Sequence, residues 1–229
     1  MTGRASLRLA LAASLVGGAA CNDDSGPPPP QGSALRYLHT VLAGPTITVF
    51  VDGGRGNTIA FGELSHVFQL SPGQHDLDVL PADNTPALLV LFNSEGGVNY
   101  TAFVIDTTIG GSVTMMPELV SDSGAVPSGV GRLRLANFAA LATAIDASRT
   151  QPGSAGGHLI LTQQPFNYRA ITPYFESTPG KWTVVISHHG TTDTLFLTDS
   201  IAVGDGHAFT VAIIDSTNAH VTARVIGER

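Results

Sequence analysis

Two stretches set histidine beside acid. "SHHGTTD" (187–193) carries His188, His189 and Asp193, and "GQHDLDV" (73–79) carries His75, Asp76 and Asp78. These side chains ligate metals and act as general bases. A metal site needs three or four of them converging on one point. Neighbouring residues of a strand point to opposite faces, so His188 and His189 meet one ion only inside a turn, with Asp193 as the next ligand. Beyond these, no further ligand stands at a useful spacing. The stretch therefore reads as an exposed turn, with His188, His189 and Asp193 as candidate ligands. In "GQHDLDV" alternation puts His75 with Leu77 and Val79 on one face and both acids on the other, so His75 reads as a core or boundary residue. His39 and Asn137 are the remaining polar candidates. Each can bridge backbone groups across a loop or meet a ligand. There is no nucleophile elbow, no paired-histidine zinc helix, no phosphate-binding glycine loop and no calcium loop. No catalytic residue and no cofactor is assigned from the sequence, and the expectation is a protein that is not an enzyme. A Ser–His–Asp set assembled in space is kept as a third reading, that of a hydrolase.

The only cysteine raises a different chemistry. Cys21 follows "MTGRASLRLALAASLVGGAA", in which Arg4 and Arg8 precede an apolar run from Leu7 to Val16 and a patch of small residues. That order is that of an export signal, and the run is shorter than the roughly 20 apolar residues that span a bilayer. A cysteine directly after small residues resembles the lipobox of bacterial lipoproteins. The resemblance implies cleavage between Ala20 and Cys21 and acylation of Cys21. It also implies an anchor in the cell envelope, with the outer membrane as the expected place. The usual leucine three residues before the cysteine is replaced by Gly18, with Leu15 further back. Residues 22–34, "NDDSGPPPPQGSA", hold no core former, and their proline run is stiff and extended. They read as a disordered tether. Removing Arg4 and Arg8 leaves nine basic against 18 acidic residues, with Lys181 the single lysine. That excludes a partner recognised through its phosphate backbone, which needs a basic face. With no second cysteine, packing alone must hold the fold.

The rest of the chain repeats itself. "LRYLHTVLAGPTITV" (35–49) aligns with "LRLANFAALATAIDA" (133–147), "FGELSHVFQLSPGQHDLDVL" (61–80) with "YRAITPYFESTPGKWTVVIS" (168–187), and "YTAFVID" (100–106) with "FTVAIID" (209–215). Period-2 alternation in "HDLDVL" and "KWTVVIS", and the turn signals "SPG" and "TPG" before them, predict strands. Trp182 takes the place of His75 and is expected inward. "LANFAALATAIDA" alone has helical spacing, but its partner contains "GPTITVFV", which disfavours a helix. Both are read as strand–loop–strand. About seven short strands per copy predict an all-β chain of two tandem immunoglobulin-like β-sandwich domains. The expected division is a signal peptide (1–20), a lipidated cysteine and tether (21–34), domain one (35–116), a linker (117–131) that permits relative motion, and domain two (132–229).

These blocks resemble a bacterial family of unknown function, DUF4397, whose pattern runs roughly "VRVVHASPDAPAVDVYVDG", "AFGEVSDYLPLPAGTYTVEV" and "YTVVAVG". The first copy matches at "LRYLH", "VDG" (51–53), "AFGELSHVFQLSPGQHDLDV" and "YTAFVID"; the second at "LRLAN", "AID" (144–146), "TPGKWTVVI" and "FTVAIID". The family's "SPDAP" appears as "VLAGP" (41–45) and "AALAT" (139–143). His39 sits where the pattern has histidine, with Asn137 in its place in the second copy. The resemblance implies an immunoglobulin-like fold, an envelope location and no known reaction. The expected function is a membrane-anchored binding or adhesion module for an envelope protein or glycan. The alternative is a structural or assembly component of the envelope.

Overall fold

Strand pairing follows the same register in the two halves of the chain. In this computed structural model residues 31–228 are described, except 86, 110–111, 123, 143, 151–158, 163 and 217–219. Ala20, Cys21 and the tether up to Pro30 lie outside the described residues. In the first half, β1 (Ser33–His39) lies between β4 (Phe68–Leu70) and β7 (Tyr100–Ile109), and β8 (Ser112–Ser121) closes the sheet. In the second, β9 (Gly131–Phe138) lies between β13 (Phe175–Ser177) and β17 (Ala208–Asp215), with β18 (Val221–Gly227) beyond. Leu35 pairs with Phe68 and Tyr100, and Leu133 pairs with Phe175 and Phe209. The β1–β7 and β9–β17 pairs are parallel, so these sheets are mixed, unlike an all-antiparallel sandwich.

Each mixed sheet is covered by a second sheet. β2 (Ile47–Val51) and β5 (Gly73–Pro81) pair between β3 (Gly54–Ile59) and β6 (Val90–Ser94). β10 (Ala144–Thr150) and β14 (Gly180–His188) pair between β11 (Leu159–Ile160) and β15 (Thr194–Leu197), with β12 (Phe166–Asn167) and β16 (Ile201–Val203) at their ends. The helix-like spacing of residues 135–147 thus gives way to two strands and a loop. In the β2–β3 hairpin, Asp52 and Gly53 both have positive φ (51° and 70°) between the paired Val51 and Gly54. That is the two-residue turn whose twist matches antiparallel strands.

Three apolar clusters lie between the sheets. One, with Leu35, Tyr37, Val49, Leu77 and Val104, fills the first sandwich; another, with Leu135, Ile145, Val184, Ile186 and Ile213, fills the second. The third joins the two mixed sheets through Leu38, Phe103 and Ile105 on one side and Ala136, Phe138 and Ile214 on the other. Phe103 stacks on Phe138 with centroids 4.3 Å apart. "TAFVID" and "TVAIID" are nearly continuous apolar runs, as strands buried on both faces require. The linker expectation is corrected here. Residues 117–121 belong to β8 and pair with β7, and the halves meet across a buried face rather than through a flexible connection alone.

A charge network completes that face. Arg134 reaches Asp122 at 3.5 Å and Glu228 at 3.3 Å, donates to Ser121 O at 2.7 Å, and lies 4.6 Å over the Tyr174 ring. Arg36 approaches Asp122 at 3.6 Å. Thr101 and Thr210, equivalent positions of β7 and β17, donate to Asp122 and Glu228 respectively. Burial, reinforced by the Glu228 charge, pushes the Asp122 carboxyl up to about 6 against the pull of the two guanidiniums. A second cross-over is Arg169 to Glu118 at 2.6 Å. Arg169 has φ 64°, and its first-half counterpart is Gly62 (φ 74°), where a Cβ would stand 2.9 Å from Arg224 Nη2.

Candidate binding groove on the second half

The loop candidates come first. His39 is fully buried; its Nδ1 accepts from Val41 N–H at 3.3 Å, so Nε2–H donates to Pro45 O at 2.9 Å. Burial lowers its pKa, opposed by the Pro45 bond, and a neutral ring suits one donating and one accepting nitrogen. Asn137 does the same work in the second half: its amide donates to Phe166 O at 2.8 Å and its oxygen accepts from Ala139 N–H at 3.0 Å. Both side chains brace the loops that replace "SPDAP". Those loops meet at one end of the inter-sheet face, beside a cavity of about 180 Å³ that Asp106 and Asp215 also line. Asp215 caps Ala140 N–H and Leu141 N–H.

His75 is buried, as the alternation of β5 requires. Nδ1 lies 2.7 Å from Asp52 Oδ2 and Nε2 2.7 Å from Ser71 O. Neither partner can donate, so both nitrogens donate and the ring is an imidazolium. Burial works against that charge, but the bonds to Asp52 and Ser71 and the nearby Asp76 outweigh it and raise the pKa.

His188 ends β14, and His189 and Asp193 fall in the β14–β15 turn, closed by His188 N–H to Asp193 O at 3.2 Å. Among the described residues no three histidine, cysteine or acidic side chains are grouped to hold a metal. The turn instead brings His189 to Asp146: Nδ1 lies 2.8 Å from Oδ1, and Oδ2 accepts from Gly190 N–H at 2.8 Å. Asp146 faces Ser187 across β10 and β14. These two bonds hold the Asp146 carboxyl below its ordinary range although burial opposes them.

This pair stands in a groove of about 630 Å³ on the outer face of the β10–β14 sheet. Val185 and Ile160 give it apolar surface, and Ala147 also lines it although it belongs to the second core. Ser148, Thr162, Ser187, Thr191, Thr192 and Thr194 supply hydroxyls. Thr162 Oγ1 accepts from Ala147 N–H, and Thr191 Oγ1 bonds within the turn. Ser187, Thr192 and Thr194 make no side-chain hydrogen bond to the described residues, and none of the described hydroxyls bonds to His189 Nε2. Sequence reading found His189 but not Asp146 or the hydroxyls. The signal available was alternation: Asp146 and Ser148 on β10, and Val185 and Ser187 on β14, leave the inward residues Ile145, Ala147, Val184 and Ile186 to the core.

Residues 33–148 match the model of DUF4397, a domain of unknown function, and the chain belongs to that family. The match covers the first half and continues through β9 into β10. None of the curated proteins matches. Among solved structures, a candidate cell adhesion protein from Bacteroides uniformis is 14% identical over 85% of this chain and 96% of its own, with a TM-score of 0.29. The Bacillus anthracis TIE protein is 13% identical over 81% of this chain and 33% of its own, with a TM-score of 0.23. The fimbrial anchor protein Mfa2 of Porphyromonas gingivalis is 9% identical over 86% and 97%, with a TM-score of 0.23.

Proposed function

We propose that this chain is a lipid-anchored cell-envelope protein of the outer membrane that binds a partner without transforming it. The observation that carries the binding role is the groove on the β10–β14 sheet: it opens outward, its polar groups include hydroxyls with no bond to the described chain, and it lies on the face opposite the buried inter-sheet contact. Support for the anchor is the sequence around Cys21, and the tether that follows it supplies reach. Two or three acyl chains make a stable anchor, since each buried CH₂ contributes about 0.8 kcal/mol. Cys21→Ala is expected to move the protein from the membrane fraction to the soluble fraction. Unchanged partitioning into detergent removes the anchor from this reading.

One observation favours the alternative of an assembly component. β6 is an edge strand, and Leu89 just before it and Leu91 within it are more than half exposed. An exposed edge can take a strand from a neighbouring envelope protein. Protease treatment of intact cells separates the two: degradation fits an outward-facing binder, and full protection fits an inward-facing component.

A further inference from the structure

We propose that the groove takes a neutral, polyhydroxylated ligand, a segment of a glycan. This deepens the reading of the groove as the binding surface and rests on it. Charge decides the first step. No lysine or arginine is among the described residues that line the groove, so among them a phosphate or carboxylate ligand has no cation to meet. Asp146, the one carboxylate among the described lining residues, already bonds His189 and accepts from Gly190 N–H, so a cationic ligand finds no unshared charge there. No phenylalanine, tyrosine or tryptophan is among the described residues that line the groove, which leaves a flat heterocycle little stacking surface.

The hydrogen-bonding groups decide the second step. Hydroxyls both donate and accept, and Ser187, Thr192 and Thr194 offer theirs within one groove. With Nδ1 on Asp146, His189 leaves Nε2 to the groove, and a ligand hydroxyl can either donate to it or accept from it. Alcohols match such ambidextrous groups, and the apolar surface of Val185 and Ile160 suits the C–H face of a sugar ring. An extended peptide binds a sheet through the unpaired backbone of an edge strand. The groove lies instead over β10 and β14, which pair with each other along its floor. The volume of about 630 Å³ falls within the roughly 300–1,000 Å³ usual for small-molecule sites.

The test uses the full-length protein in a detergent without a sugar headgroup. Titration calorimetry is run with maltohexaose, cellohexaose, mannohexaose and chitohexaose. Hyaluronan hexasaccharide supplies an anionic arm, chitosan hexasaccharide a cationic arm, and an alternating Ser–Val hexapeptide a strand arm. The expected result is saturable binding of at least one neutral sugar. His189→Phe and Thr194→Leu, each checked for an unchanged melting curve, are each expected to weaken it at least about tenfold, the scale of one lost hydrogen bond left unpaired. Binding that survives both substitutions overturns the groove as the site. Preference for a charged sugar or the peptide, or no binding across the neutral panel, overturns the ligand class. None of these outcomes depends on Cys21, so a failed anchor and a failed ligand assignment are told apart.

Discussion

In the first half His75 lies beneath its sheet with both ring nitrogens donating, one to Asp52 and one to Ser71 O. In the second half His189 stands at the rim of a groove with Nδ1 on Asp146 and Nε2 turned to no described partner. The bond lengths are alike, 2.7 and 2.8 Å. The difference is in burial, 6% against 44% side-chain exposure, and in how many of the ring's bonds the protein itself completes. A histidine with both nitrogens satisfied inside the fold is a brace. One with a nitrogen left over at an open groove can serve a ligand. The same contrast separates the ion pairs of Arg134, which lie inside the fold, from the hydroxyls of Ser187, Thr192 and Thr194, which make no bond to the described residues.

The largest effect is therefore expected at Arg134. Arg134→Ala leaves Asp122 and Glu228 buried with one cation fewer, and truncating one partner of a buried charge pair costs about 3–5 kcal/mol. Chemical denaturation of the variant measures it. A loss under about 1 kcal/mol would mean that water reaches this network, and the contrast between a closed interior and an open groove would fail at its strongest point.

Next comes His75. His75→Ala is expected to cost about 2–3 kcal/mol, the scale of buried hydrogen bonds to charged groups. Because the folded pKa of His75 is raised above its ordinary 6.5, its stabilisation is fully present below about 6.5 and is lost as the pH rises through the folded value. His39 runs the other way: its pKa is lowered, so its contribution is fully present above about 6.5 and is lost as the pH falls from there through the folded value. NMR titration of the two rings tests this directly. His75 titrating below His39 would reverse both assignments of charge.

A smaller effect is expected at Trp182, the second-half counterpart of His75. Its ring packs on the second core but is only half-buried, with Arg149 stacked 4.4 Å over it and the indole N–H on Thr178 O at 3.2 Å. Trp182→Ala is expected to cost about 2 kcal/mol, below the roughly 3–5 kcal/mol of a fully buried aromatic. A melting experiment giving the full core value would place Trp182 deeper than its counterpart and weaken the pairing of the two positions.

Much of this fold was legible because the repeat and the period-2 pattern agree. β5 and β14 begin at Gly73 and Gly180 after matching turns, and the repeat overruled the helical spacing of residues 135–147. The buried face between the halves was not read, since the second apolar side of β7 and β17 becomes a contact only when two sheets are present to meet. Asp106 pairs with Met115 and Asp215 with Val221, which is the alignment that makes Asp122 and Glu228 counterparts. Of the groove, the sequence exposed His189 through its turn. Asp146 lies 43 residues earlier, and only the pairing of β10 with β14 brings it there.

The smallest effect on stability is expected at His189. Its side chain is 44% exposed and its one bond is to a partly exposed carboxylate, and exposed pairs of this kind contribute about 0–1 kcal/mol. His189→Ala is thus expected to shift stability by less than about 0.5 kcal/mol, within the range of ordinary surface changes. Loss of the histidine leaves Asp146 still holding Gly190 N–H, so the turn keeps one of its two fastenings. Urea denaturation of His189→Ala beside His75→Ala reads the contrast in a single experiment, because both remove an imidazole from an aspartate. If the two variants lose the same stability, completion of hydrogen bonds inside the fold is not what separates them, and the groove histidine is a brace like the other.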